Sequence, residues 1–260
     1  MAYVIAIANQ KGGVGKTASS TALAAAFNDL GHKTLLIDAD KQGNASDAYN
    51  AVIEDTATLY DVILEREKHA VDINEAIQGK PGREIIAADP NLSEAEVKYS
   101  NDLSQIYRLR DALKNLDEKW EFVIIDTNPD LNKLLTACMI ASDEIIIPIT
   151  PDKYPIDGLV TLVKNINLLK QTVAGVNVKV GGILMTRVPK AHRILKDQIL
   201  DNIDVAAEQL DTKVFKTIIH EKVSIGQAQA ACMSVIDFDR KCETSLEYVQ
   251  LAEEILSAHT

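Results

Sequence analysis

Residues 9–20 read NQKGGVGKTASS and place two lysines, Lys11 and Lys16, around a run of glycines. Gly12, Gly13 and Gly15 permit backbone conformations that other residues avoid, so consecutive N–H groups can converge on phosphate oxygens. The candidates for holding such phosphates are Lys11, Gly12, Gly13, Val14, Gly15, Lys16, Thr17 and Ala18. Lys16 would neutralise the β- and γ-phosphates of a nucleotide, and the Thr17 hydroxyl would ligate Mg²⁺. The usual loop pattern G-x-x-x-x-G-K-[ST] is not met, because Gln10 stands where its first glycine belongs and Lys11 stands beside it.

Three carboxylates suit the same chemistry. Asp38 and Asp40 lie two residues apart in DADKQGNAS (38–46), and on extended backbone they point the same way. Asp126 closes the apolar run of FVIIDTNPDL (122–131). A carboxylate on a buried strand is costly without a partner, and a nearby Mg²⁺ would supply one. Asp126, with Thr17, is therefore a metal-site candidate, and Asp38 and Asp40 could both face the phosphates.

The elements that must position these groups are legible as a pattern. Short runs that are apolar on both faces recur at 3–8, 33–39, 84–88, 121–127, 144–150, 178–187 and 214–220. Such runs read as buried parallel strands covered on each side by helices. Helical patterns separate them at 16–30, closed by Gly31, and at roughly 101–116, 131–141, 156–171, 190–209 and 244–258. With no Pro/Gly-rich linker, the expectation is one doubly wound α/β domain over 1–260, its sheet mostly parallel and flanked by helices. The stretch 45–100 carries a helical signal in ATLYDVILERE (57–67) and a turn signal in GKPG (79–82), without a readable topology.

In sequence, KGGVGKT resembles the deviant Walker A loop of the ParA/MinD class of P-loop ATPases. DADKQGNAS is similar to that family's D-x-D-P-Q-G-N-[AS], FVIIDTNPDL to its Walker B run ending D-T-P-P, and ASDEIIIPITPDKYPIDGL (141–159) to the stretch before its next helix. The four motifs occur in the family's order and favour ParA over MinD. The resemblance implies ATP and Mg²⁺ as cofactors, Lys16 and Asp40 as catalytic residues with Asp40 orienting the attacking water, and Asp38 as a metal-site residue beside Thr17 and Asp126. It also implies that Lys11 reaches a partner subunit's phosphates, as an arginine finger does in trans. Adenine would lie near Thr186, Arg187 and His220. Lys41 replaces the usual proline after Asp40, and Asn128 replaces the first proline of D-T-P-P. Altered kinetics are expected from these departures rather than a dead site.

The family resemblance further implies an ATP-driven homodimer, binding to DNA without sequence preference, and a ParB-type adaptor that stimulates hydrolysis. The segregated cargo would be a plasmid, a chromosome or a mobile element. DNA contact requires a basic face. The candidates are Arg187, Lys190, Arg193 and Lys196, with His192, in TRVPKAHRILK (186–196), and a second set of Lys213, Lys216, Lys222, Arg240 and Lys241. Glu221, in IHEKV (219–223), stands where the family often has a DNA-contacting arginine, with Lys222 one residue on. Two other readings stay open: an orphan member that positions a protein cargo, and a metabolic P-loop phosphotransferase.

Bulk properties fit a globular chain. Charged residues make up 25% and apolar residues 47% of 260, and the net charge of −11 argues weakly against nucleic-acid binding. Cys138, Cys232 and Cys242 form no CxxC pair and are expected to be thiols of a reducing cytoplasm, not the cluster ligands of a nitrogenase-type iron protein. The start MAYVIAIANQ lacks a basic leader, so a cytoplasmic location is expected, with nucleoid association if DNA is bound. The end, TSLEYVQLAEEILSAHT (244–260), places Leu246, Val249, Ala252 and Leu256 at helical spacing with glutamates opposite. That reads as a core-packing helix and not as a membrane anchor.

Overall fold

The computed structural model describes all residues except 64–70, 95–96, 100–102, 131, 152–154, 174–175, 191–202, 209 and 260. Six of the apolar runs form strands of one sheet: β1 (Tyr3–Ile7), β2 (Thr34–Ala39), β4 (Arg83–Ile86), β5 (Phe122–Thr127), β6 (Glu144–Ile149) and β7 (Lys179–Met185). A further strand, β3 (Ile77–Lys80), pairs antiparallel with β4 at the sheet edge. The order is β3-β4-β2-β5-β1-β6-β7, parallel throughout apart from that hairpin. GKPG is the hairpin's turn, with Gly79 at φ 109° and Gly82 at φ 81°.

Alternating side chains of the central strands supply two cores. Ile5, Ile7, Leu36 and Ile124 pack with Leu23 and Phe27 of helix α1 (Lys16–Asp29) and with Tyr248 and Leu251 of the helix Glu243–Ser257. Val4, Ala6, Leu35, Ile37 and Val123 pack on the other face with Leu135 and Met139 of the helix Lys133–Ala141 and Leu162 of the helix Pro155–Thr172. Both faces of these strands are therefore covered, as continuous apolar runs require.

Four details depart from the sequence pattern. The run 214–220 is not a strand: it touches β7 and Val188 through single bridges at Val214 and His220. The N–H groups of Lys216 and Thr217, which a ladder would use, donate instead to the Glu254 carboxylate at 2.9 and 3.0 Å. The segment expected as a helix over 101–116 enters as a 3-10 turn at Leu103–Tyr107 and becomes α-helical only over Arg108–Leu113. Of the helix expected over 190–209, the described residues include helical 203–208 alone. In the last helix Tyr248, Leu251, Ala252 and Ile255 are buried and Val249 and Leu256 pack partly buried against the same core, so of the expected stripe Leu246 is the residue left exposed.

Candidate functional site

β1 delivers the chain to the glycine loop, and α1 begins at Lys16. Gly13 (φ 73°) and Gly15 (φ 84°) are left-handed, the conformation for which glycine is the ordinary residue. Gly15 is the N-cap of α1 and its carbonyl accepts from Ser19 N–H at 2.9 Å. The Lys11 N–H is tied to Asn9 Oδ1 at 2.9 Å, and Asn9 Nδ2 to the Pro148 carbonyl at 2.7 Å, which anchors the loop's start to β6. Val14 is buried, whereas Lys11, Gly12 and Gly13 are exposed at the rim.

Lys16 is buried within the loop, and its Nζ donates to the Lys11 carbonyl at 3.3 Å. Burial lowers its pKa, against the pull of Asp126, Asp40 and Asp130. A cavity of about 390 Å³ opens in front of it, lined by Gly12, Gly13, Lys16, Thr17, Ala18, Asp40 and Pro129 among others. A second, of about 560 Å³, lies beyond Gly13, Gly15 and Ala18 and is lined by Thr186, Arg187, Glu221 and Lys222. The helix Val223–Ala230 contributes Ile225 and Gln229 to both.

The three carboxylates take different positions. Asp126 is fully buried at the end of β5; Ser20 Oγ donates to its Oδ1 at 2.8 Å, and among the described residues its Oδ2 has no hydrogen-bond partner. Desolvation, followed by the adjacent Asp38 charge, pushes its pKa up. Asp38 is also fully buried, but it is saturated: Oδ1 accepts from Asp40 N–H at 3.1 Å, and Oδ2 from Ser46 N–H and Ser46 Oγ–H at 2.8 Å each. Asp38 does not line the cavity. Asp40 does, and its Oδ1 accepts from Gln42 N–H at 3.0 Å, which leaves Oδ2 available to a reacting group. Lys41 is exposed, and Asn128 is buried with an unpartnered Oδ1.

At the far side of the loop, Thr186 Oγ1 is hydrogen-bonded to the carbonyls of Val14 (2.8 Å) and Ile149 (3.0 Å). Arg187 reaches the Gly13 carbonyl at 3.1 Å and Glu221 at 2.9 Å. His220 turns away: its Nδ1 lies 2.6 Å from Glu247 Oε1, and it does not line either cavity. The basic candidates are largely engaged with acids. Lys190 and Lys222 share Glu243, Arg240 pairs with Asp29, and Lys213 lies over the Phe215 ring. Arg193, Lys196 and His192 lie outside the described residues. Cys138 is buried behind the sheet, and among the described residues no cluster of His, Cys, Asp and Glu is arranged to hold a metal by itself.

The sequence matches a family model described as an AAA domain over residues 2–180. The chromosome partitioning protein ParA of Caulobacter vibrioides is 33% identical over 258 residues, which covers 98% of this chain and 94% of that protein. The chain belongs to the ParA family of ATPases. Soj of Bacillus subtilis, a sporulation initiation inhibitor protein, is 30% identical over 256 residues and 98% of each chain, so the family extends over the whole length. A solved structure of cobyrinic acid a,c-diamide synthase from Mycobacterium smegmatis, with bound ADP and magnesium, superposes with a TM-score of 0.83. It is 24% identical and covers 100% of this chain and 96% of that one, which establishes the shared P-loop fold. In this ParA-family chain the loop and Asp40 line one cavity, whereas Asp38 and Asp126 are both fully buried and do not line it. The bond from Arg187 to the loop could not be read from sequence, because 174 positions separate its partners.

Proposed function

We propose that this chain, acting as a single domain over 1–260, is a Mg²⁺-ATP-dependent partitioning ATPase that switches between nucleotide states. The observation that carries the reading is the fit of one cavity to a metal–nucleotide pair. Left-handed Gly13 and Gly15 shape an anion-binding loop at the N-terminus of α1, and Lys16 supplies charge at its centre. Beside it, the unpartnered Oδ2 of buried Asp126 and the partly exposed Thr17 suit a hydrated divalent cation. When bound, Mg²⁺ would neutralise charge on the transferring phosphoryl group.

Within that reading, Asp40 orients the attacking water, Thr17 and Asp126 hold the cation's side of the site, and Asp38 fixes the loop through Ser46. The base occupies the second cavity, next to Thr186 and Arg187. Lys11, at the rim, acts in trans and makes the γ-phosphate a signal for homodimer formation. The dimer binds DNA without sequence preference through Lys190, Lys222 and the neighbouring basic segment, and a ParB-type adaptor resets it by stimulating hydrolysis. The protein works in the cytoplasm, on the nucleoid when DNA-bound. Among the described residues no helix is long and apolar enough to cross a membrane.

A second reading, transport of a protein cargo without DNA, is favoured by one observation: Glu243 neutralises both Lys190 and Lys222. Sizing the protein by light scattering with ADP and with ATP, then adding random-sequence duplex DNA at rising salt, separates the two. ATP-dependent dimers with salt-sensitive DNA binding support partitioning of DNA. ATP-dependent dimers that ignore DNA at low salt support the cargo reading, and a monomer in both nucleotides overturns the switch.

A further inference from the structure

Two successive carbonyls of the phosphate loop are held by two successive residues at the end of β7. Thr186 Oγ1 donates to Val14 O, and Arg187 Nη1 donates to Gly13 O. Each peptide is a rigid trans plane with its C=O and N–H on opposite sides. Fixing the Gly13 and Val14 carbonyls therefore fixes the direction of the next two N–H groups, those of Val14 and Gly15. These belong to the consecutive donors from which an anion nest is made.

Thr186 is buried and its backbone N–H donates to Ile149 O of β6 at 2.8 Å, so its hold is part of the frame. Arg187 is different. Its backbone is left-handed at φ 52°, a conformation that residues bearing a Cβ rarely adopt, and its side chain is half exposed. What aims the guanidinium at the loop is its second contact, Nη2 to Glu221 Oε1 at 2.9 Å. Glu221 is in turn placed by its own N–H, which donates to Val188 O at 3.0 Å.

We propose that Arg187, braced by Glu221, is a positioning residue of the phosphate loop: a strut that orients the Val14 and Gly15 amides before nucleotide arrives. The inference rests on the reading of that loop as the nucleotide site. An ion pair this exposed adds little to folding stability. Its effect is on binding, because a loop already in its bound conformation loses less freedom when the phosphates dock. Glu221 also gains a role here, at a position where the resembled family often carries arginine: an arginine would repel Arg187 instead of bracing it.

The test is calorimetric binding of ADP and of inorganic tripolyphosphate to the full chain and its variants. The strut acts on phosphates, so both ligands report it, whereas a contact to the base is felt by ADP alone. Arg187→Gly relieves the left-handed backbone and is expected to melt no lower than the wild type. It should still lose about three- to tenfold in affinity for both ligands, the scale of one hydrogen bond. Glu221→Arg should lose a similar factor, while Glu221→Gln, which keeps an acceptor for Arg187, should stay within about twofold of wild type. Unchanged affinity in Arg187→Gly overturns the strut. Loss for ADP with tripolyphosphate unaffected also overturns it and assigns Arg187 to the base. A wild-type chain that binds neither ligand overturns the nucleotide-site reading itself, and the strut with it.

Discussion

Asp38 and Asp126 sit opposite one another in register on neighbouring parallel strands, both fully buried. They differ in what satisfies them. Asp38 accepts three hydrogen bonds from the chain, two of them from Ser46, whose Oγ also accepts from Ala88 N–H at 2.9 Å. Asp126 accepts one from Ser20 and leaves Oδ2 without a partner. A pair of buried carboxylates is a destabilising arrangement that a divalent cation relieves. The fold therefore satisfies one carboxylate with its own hydrogen bonds and, among the described residues, leaves an oxygen of the other unpartnered.

Both carboxylates contribute to a pH dependence, since burial raises Asp38 to about 6 as well. Burial first, and Asp38 second, raise Asp126 from the ordinary carboxylate range to about 7. Between these limits the folded chain binds the proton more tightly than the unfolded chain, so stability is greatest at the acid end and falls as pH rises through the window. Each pH unit inside it removes up to about 1.4 kcal/mol per ionising group. The metal- and nucleotide-free protein should melt at a lower temperature near pH 8 than near pH 5.5, and Mg²⁺ with ADP should restore much of the loss. Asp126→Asn keeps the shape and cannot ionise, so its melting curve should be flatter with pH. An equal slope in wild type and Asp126→Asn would show that the titrating burden lies elsewhere.

Asp40 lines the cavity, with its Oδ1 held by Gln42 N–H. Replacing it by alanine should leave ATP affinity within a few-fold of wild type and lower the hydrolysis rate by about 10²-fold or more, the usual scale for a lost water-orienting group. Asp40→Asn retains an acceptor for Gln42 and so separates loop geometry from catalysis; it should hydrolyse slowly as well. Single-turnover phosphate release measures both. Normal turnover in either variant would remove Asp40 from the mechanism.

The phosphate loop was legible in sequence because its requirements are local: glycine where φ is positive, a strand before, a helix after. Asp126 was legible for the same reason, as a carboxylate ending a run too apolar to expose. What was not legible depends on distant partners. The run 214–220 has the composition of a strand, yet Glu254, some 38 positions later, takes the amides that a ladder needs. β3 carries Gln78, Gly79 and Lys80, and no apolar pattern marks it; it pairs because the GKPG turn folds it back on β4. Spacing alone placed Asp38 beside Asp40, and Ser46 decides that only Asp40 faces the cavity.

Glycine at 181 has a long-range reason of its own. Pairing between β6 and β7 slips by one residue there, with Ile145 opposite Val180 and Ile146 opposite Gly182. A Cβ on Gly181 would lie 1.7 Å from Glu144 Oε1. Glu144 is itself pinned by Tyr3 Oη at 2.8 Å, His259 Nε2 at 3.1 Å and Lys179 Nζ at 3.3 Å. Gly181→Ala should destabilise the fold by about 1–3 kcal/mol, as overpacking does, with ADP affinity unchanged because this cluster touches neither cavity by the loop. Denaturant unfolding with and without ADP reads both quantities. A variant as stable as wild type would mean that the Glu144 carboxylate yields freely.

In the proposed switch, Lys11 is the residue that acts in trans. Its backbone is committed to the loop, through its N–H to Asn9 and its carbonyl to Lys16 Nζ, so removing the side chain leaves the loop's internal bonds in place. The side chain belongs to an exposed residue next to Gly12, which lines the phosphate cavity, and in the proposed dimer it would meet the second subunit. On an Asp40→Ala background, which preserves ATP, the protein should run as a dimer with ATP and as a monomer with ADP. Adding Lys11→Ala should leave ATP bound and the protein monomeric, because the charge that meets the partner's γ-phosphate is gone. Light scattering at matched concentrations gives the mass, and equilibrium binding of a labelled ATP confirms occupancy. A Lys11→Ala protein that dimerises fully on ATP would mean that Lys11 serves only its own nucleotide, and that the nucleotide state is read by some other part of the surface.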